Sequence, residues 1–242
     1  MSQGHSPLAQ FEIHPIIPFK MGGLDLSFTN SSLWMVIVIG MITLLLSVAT
    51  SRRQLVPGRV QAGSEMLVEF VSGIIQDNAG SKGMKYFPFI FSLFMFILFC
   101  NLFGMIPTSF TVTSHIIVTF AMAGIVFLGV TLIGFAKHGL HYFSLFLPKG
   151  TPWWMIPLMI TIELISYLSR PISLSIRLAA NMMAGHLLLK IMAGFVAAGL
   201  VGIFPFAFLL LFTGFEIFVA CLQAYIFTLL TCIYLNDALN LH

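Results

Sequence analysis

Residues 173–186 read SLSIRLAANMMAGH and put Arg177 and His186 inside an apolar run that extends from Met155 to Leu189. A straight helix of about 35 residues is about 52 Å long, against a hydrocarbon core of about 30 Å. A second such run, Ala193 to Leu235, follows with little more than Lys190 between the two. Helices of this length must tilt steeply, break, or both; the candidate breaks are Pro171 and the stretch from Gly199 to Pro205. An arginine at the centre of such a run requires a specific reason, because an ionised group costs several kcal/mol inside a bilayer and normally faces protein or a water-filled cavity.

The whole composition agrees with a membrane setting. Of 242 residues, 59% are hydrophobic and only 8% charged, where a soluble domain would carry about a quarter. Little chain is left over for a soluble catalytic domain. The net charge of +3 is too small and too dispersed to form a nucleic-acid surface. Cys100, Cys221 and Cys232 lie in apolar runs without CxxC spacing and read as small buried apolar residues. No cofactor or metal motif is present: the HGLH at 138–141 has ligand-like spacing but neither cysteine nor acid near it. Glu12, Lys20, Asp25 and three prolines argue against a cleaved secretory signal at the start.

The fold expected is an all-α integral membrane protein with five transmembrane helices and one amphipathic helix on the membrane surface. An extramembrane segment, 1–25, precedes a single polytopic domain, 26–242. The first helix covers 26–51 and ends at Arg52, Arg53 and Arg59. In 64–79, Leu67, Phe70, Val71 and Ile74 share one helical face while Glu65, Glu69, Gln76 and Asp77 point away, as in a surface helix. A hairpin of two spans occupies 86–136, and a loop, 137–154, collects Lys137, Lys149, Tyr142, Trp153 and Trp154, a composition suited to the headgroup layer. The long, strongly tilted helices are 155–189 and 193–236. Five spans place Arg52, Arg53, Arg59, Lys82, Lys85, Lys137 and Lys149 on one side, which puts the amino terminus outside and the carboxyl terminus inside.

The polar residues of the last two helices fall into rows. At about 100° per residue, Glu163, Arg170, Ser173, Arg177 and Asn181 lie within about 80° of one another, and Glu216, Gln223 and Tyr234 share a line on the final helix. Two such rows suggest a hydrophilic path between apolar walls. His186 projects about 140° from Glu163 and so belongs to a different compartment of that path. Plainer readings stand beside this one: Arg177 and Glu216 as a neutralising structural pair, His186 bonded to a neighbouring helix, Asn181 or Gln223 as interhelical glue, and Gly194, Ala198 and Gly202 as a close-packing row.

The strings RPISLSIRLAANMMAGHLLLKI (170–191) and EIFVACLQAYIFTLLTCIYLNDAL (216–239), with NLFGMIP at 101–107 and the terminal YLNDALNLH, resemble the subunit a family of F-type ATP synthases over most of the chain. That resemblance implies a stator subunit of an energy-coupling membrane, either a bacterial plasma membrane or a mitochondrial inner membrane. Its partners would be a ring of rotor c subunits, the peripheral-stalk b subunits, other synthase subunits, the bilayer and protons. It implies no covalent chemistry by this chain alone. The family's essential arginine maps onto Arg177, with Asn181, Gly185 and His186 following it. The resemblance further implies that His186 and Glu216 serve proton uptake beside Asn101, that Glu163 lies on the release path, and that Gln223 is close to Arg177. His186 and Glu216 stand where some bacterial members carry the acid first and the histidine second, an exchange seen in mitochondrial-type members. The order of transfer between the two stays open. A self-contained secondary transporter is the alternative, although no paired inverted repeat is visible.

Overall fold

The computed structural model describes residues 13–18, 20–21, 24–25, 27–51, 56–106, 110–139, 141–142, 152–196 and 203–240. Arg52, Arg53, Lys149, the greater part of the 137–154 loop, and residues 199–202 of the second candidate break lie outside them. The element order is β1 (Pro15–Ile17), β2 (Lys20–Met21), β3 (Leu24–Asp25), β4 (Phe28–Thr29), α1 (Asn30–Ser51), α2 (Arg59–Gly83), α3 (Phe87–Gly104), α4 (Ile116–His138), α5 (Ile156–Val196) and α6 (Ile203–Leu239). Among the described residues, five helical stretches are long and apolar enough to cross a membrane, α2 and α3 together supplying one of them. The polypeptide is therefore an almost wholly helical, multi-pass membrane protein.

Internal contacts divide the chain into two compact units. The first comprises Met1–Ser64, Met95–His115 and Leu178–Ala224; the second comprises Glu65–Phe94, Ile116–Arg177 and Tyr225–His242.

In the first unit a small antiparallel ribbon leads into α1, with β1 paired to β4 and β2 to β3. Its short strands lie in a segment whose prolines and mixed polarity announce no regular structure, and the ribbon was not expected from sequence. Thr29 starts α1 by accepting a hydrogen bond from the Ser32 amide at 3.3 Å through Oγ1, which satisfies one of the free donors of the first turn. Only Ser31, Val38 and Ala49 of α1 are buried, whereas Val36, Ile39, Leu44 and Val48 are exposed. An apolar surface of that kind needs hydrocarbon rather than water around it. The second half of α3 is the inverse case: Met95, Ile97, Leu98, Cys100 and Asn101 are all buried, as an all-round apolar helix should be.

In the second unit α2 buries Val71, Ile74, Ile75 and Ala79 and exposes Glu65, Glu69, Gln76 and Asp77. The buried stripe is rotated slightly from the expected one, with Ile75 taking the place of Phe70. Phe70 is exposed, although its ring lies 5.9 Å from those of Phe94 and Tyr225. Gly80, at φ 65° and ψ −169°, breaks the helical path at the end of α2, a conformation that a side chain would strain. A 3-10 turn, Met84–Tyr86, then feeds α3.

The long helices decide one open alternative and correct one boundary. Pro171 does not break α5, which runs unbroken for 41 residues. A proline costs a helix one backbone hydrogen bond and a clash with the preceding turn, and here the burial of Pro171, Leu174 and Ser175 favours continuity. Lys190 does not separate the helices either: α5 continues past it to Val196 and α6 starts at Ile203. A single lysine with a long aliphatic stem can snorkel without ending a helix.

Hydroxyl groups in the helices mostly satisfy themselves. Thr43, Ser92, Thr131, Thr161, Thr213 and Thr231 donate to the carbonyl four residues back, at 2.7–2.8 Å. Such residues can stand at membrane depth with no chemical role.

Candidate functional site

The first unit gathers five of the polar residues singled out by sequence: Asn101, Asn181, His186, Glu216 and Gln223. Asn101, fully buried near the end of α3, donates through Nδ2 to the Ala220 carbonyl of α6 at 3.2 Å. Asn181 of α5 donates through Nδ2 to Oε1 of Gln223 on α6 at 3.0 Å. His186, buried, has Nε2 3.2 Å from Oγ1 of Thr111, in the segment between α3 and α4. Thr111 Oγ1 also reaches the Gly104 carbonyl at 3.3 Å. The histidine therefore bonds neither Asn181 nor Gln223 but a threonine distant in sequence. No pattern in FTVTSH singles Thr111 out, so sequence reading missed it.

Glu216 is the sharpest feature of this group. It is buried on α6, and neither carboxyl oxygen has a hydrogen-bond partner among the described residues. Its carboxyl group packs against Gly185, the residue before His186, so closely that a β-carbon at 185 would overlap it. Asn101 Oδ1 and Gln223 Nε2 are likewise buried and unsatisfied. Buried polar atoms are almost always paired with protein or water, and an unpaired carboxylate costs several kcal/mol. These four atoms, all buried in the first unit, are suited to water or a mobile proton.

The second unit holds Glu163, Arg170, Ser173, Arg177 and Tyr234. Ser173 and Arg177 are exposed, and Glu163 is half-buried. Arg177 stands near the middle of α5. Arg170 behaves differently: its Nη1 lies 3.0 Å from Oδ2 of Asp237 in an ion pair, and its guanidinium carbon lies over the rings of Tyr234 at 4.8 Å and Tyr167 at 5.6 Å. Tyr167 continues the network, with its hydroxyl 2.6 Å from Thr131 Oγ1 and 3.0 Å from the Tyr142 hydroxyl. Burial, reinforced by that bond to Tyr167, pushes the Tyr142 phenol above its ordinary range, so it stays protonated. An arginine and an acid of the last two helices do form a structural pair, but the pair is Arg170 with Asp237. Asp237, four residues past Ile233 in the apolar carboxyl-terminal stretch, drew no attention in the sequence.

Residues 32–236 match the family described as ATP synthase A chain. The chain belongs to the subunit a family of ATP synthases. A family member from Rhodospirillum rubrum, named ATP synthase subunit a, is 56% identical over 240 residues, covering 98% of this chain and 100% of that one. The same name, identity and coverage hold for the protein of a designated strain of that species. As a member of the subunit a family, the chain is a multi-pass component of the membrane sector of a proton-translocating complex and works with its other subunits.

Proposed function

We propose that this chain is the stator that steers protons onto and off a rotating ring of c subunits. The observation that carries the proposal is Glu216, an acid buried against Gly185 with both oxygens unsatisfied, in the unit that also contains the His186–Thr111, Asn181–Gln223 and Asn101–Ala220 contacts. Glu216 and His186, with Asn101, would line the uptake half-channel from outside. Glu163, half-buried in the second unit, would stand on the release half-channel toward the carboxyl-terminal side, with Ser173 and Tyr234 bordering the path and Asn181 and Gln223 near the gate.

Arg177 is assigned as the gate. A guanidinium keeps its proton at any working pH, so it offers a fixed positive charge and cannot carry the transported proton. A protonated ring carboxylate arriving beside it has its pKa lowered by the opposite charge and releases its proton. The ionised carboxylate cannot move cheaply into lipid until it is reprotonated from the uptake side. The same positive charge repels a proton attempting to pass directly between the half-channels. Net rotation follows from those two restrictions. Each charge crossing the membrane contributes about 2.3 kcal/mol per 100 mV, so several crossings are needed per ATP.

The exposure pattern of α5 suits a rotor. Around Arg177 the exposed positions include Ser173, Ala180 and Ala184, small side chains at helical spacing that admit close approach of another helix, and Ile172, Ile176 and Met183, which are apolar. A permanent cation exposed at that depth would be costly against acyl chains.

The test is proton conduction by the assembled complex in sealed vesicles. Glu216→Gln, which preserves shape but cannot ionise, should impair conduction while the complex stays assembled; unchanged conduction in both Glu216→Gln and His186→Ala would sink the relay. Proton or solute transport by the purified chain alone would instead favour a self-contained secondary transporter.

A further inference from the structure

The second unit contains a feature that proton transfer does not use. Three exposed lysines, Lys82 at the end of α2, Lys85 in the 3-10 turn before α3, and Lys137 at the end of α4, line one cleft of about 490 Å³ with Tyr86, Ala136 and Leu239. The ends of the apolar runs of α3, α4 and α6 meet there, so the cleft belongs at the height where hydrocarbon gives way to headgroups. Directly adjoining it is an apolar groove of about 280 Å³, lined by Phe89, Ile125, Gly129 and Leu132 among others. The two cavities share Tyr86 and Ile133. A cationic mouth that continues into an apolar trough has the shape and polarity of a phospholipid.

The ordinary role of these lysines is to finish helices, and part of it is present. Lys137 Nζ donates to the Leu239 carbonyl at 2.7 Å and Lys82 Nζ to Asn240 Oδ1 at 3.2 Å. An ammonium has three protons, so each retains donors for a phosphate, and Lys85 adds a third charge in a cleft with no acid among its described lining residues. Helix capping also leaves the apolar groove unexplained.

We propose that this cleft and groove hold an anionic phospholipid of the leaflet facing the carboxyl terminus, its phosphate among Lys82, Lys85 and Lys137 and one acyl chain along Gly129. Charge complementarity selects an acidic headgroup over a zwitterionic one, and basic pockets between membrane helices are general sites for such lipids. Gly129 has open space where a β-carbon would stand, so the groove accommodates a chain there.

The test uses the full chain taken from vesicles of equimolar phosphatidylcholine and phosphatidylglycerol, with retained lipid read by native mass spectrometry. The wild type should retain phosphatidylglycerol in preference. The triple variant Lys82→Gln, Lys85→Gln, Lys137→Gln should weaken that retention by about a hundredfold, at about 1 kcal/mol for each lysine. The arginine triple at the same positions should keep it, which separates lost charge from lost folding. Gly129→Leu should lower lipid retention while leaving binding of inorganic phosphate unchanged. Equal retention by the glutamine triple, loss in the arginine triple, or a Gly129→Leu chain that keeps its lipid would each overturn the proposal. So would displacement of the lipid by inorganic phosphate, which would make the cleft a site for the free anion.

Discussion

Two acids on α6 sit in opposite electrostatic circumstances. Asp237, in the second unit, has Arg170 at 3.0 Å, and that arginine is faced by two tyrosine rings. Glu216, in the first unit, is more deeply buried and has no partner for either oxygen among the described residues. A charge that is paired and stacked holds structure together, whereas a carboxyl group left unpaired in an apolar setting has been kept available for another use. The same contrast separates the two arginines of α5: Arg170 is engaged within its unit, and Arg177, about two turns further on, is exposed.

Exchanging the roles of these groups is the direct way to break the contrast. The largest effect is expected from Arg177→Ala, which should reduce proton-driven ATP synthesis in vesicles to background while leaving the complex assembled. Synthesis at the normal rate would remove the gate. Next comes Glu216→Gln: losing a positioned proton carrier should slow passive proton conduction by about a hundredfold. Arg170 and Asp237 should answer in stability instead. Either single change, Arg170→Met or Asp237→Leu, should cost about 1 to 2 kcal/mol, between surface and fully buried pairs, because their side chains are 22% and 30% exposed. The double variant should recover part of that loss in a thermal unfolding cycle, and additive losses would show that the pair is not coupled. Smallest is Gly185→Ala, whose new methyl group must push aside the flexible end of Glu216. A few-fold drop in conduction, with unchanged thermal stability, would mark the glycine as a spacer for the carboxyl group.

How much of this could be read from the chain depends on how local the cause is. The helices were legible because each apolar run is long enough to span a bilayer by itself, and the charged face of α2 repeats at helical spacing. Helix ends were less so: Lys190 reads as a boundary but lies within α5, because one basic residue does not outweigh the apolar turns that follow it. At Pro171 packing overrides a local preference for a break, and the helix runs on. The outer pair of the ribbon, β1 with β4, depends on pairing between residues 11 to 14 positions apart, which no run of strand-forming residues advertises. The polar rows singled out residues of α5 and α6, but partners across helices were invisible: nothing in the sequence ties His186 to Thr111, or Arg170 to Asp237 rather than Arg177 to Glu216. Which acid is neutralised and which is left open is a property of packing, and it appears only with the side chains in place.

The continuity of α5 has a mechanical side as well. Its 41 residues form one beam of about 60 Å with Arg177 near mid-span. A sideways push delivered at the middle of an unjointed beam is borne by both supports, whereas a hinge at Pro171 would have let the loaded section swing. Under the proposed function, a stationary part that resists thrust from a moving neighbour would be better served by stiffness there than by give.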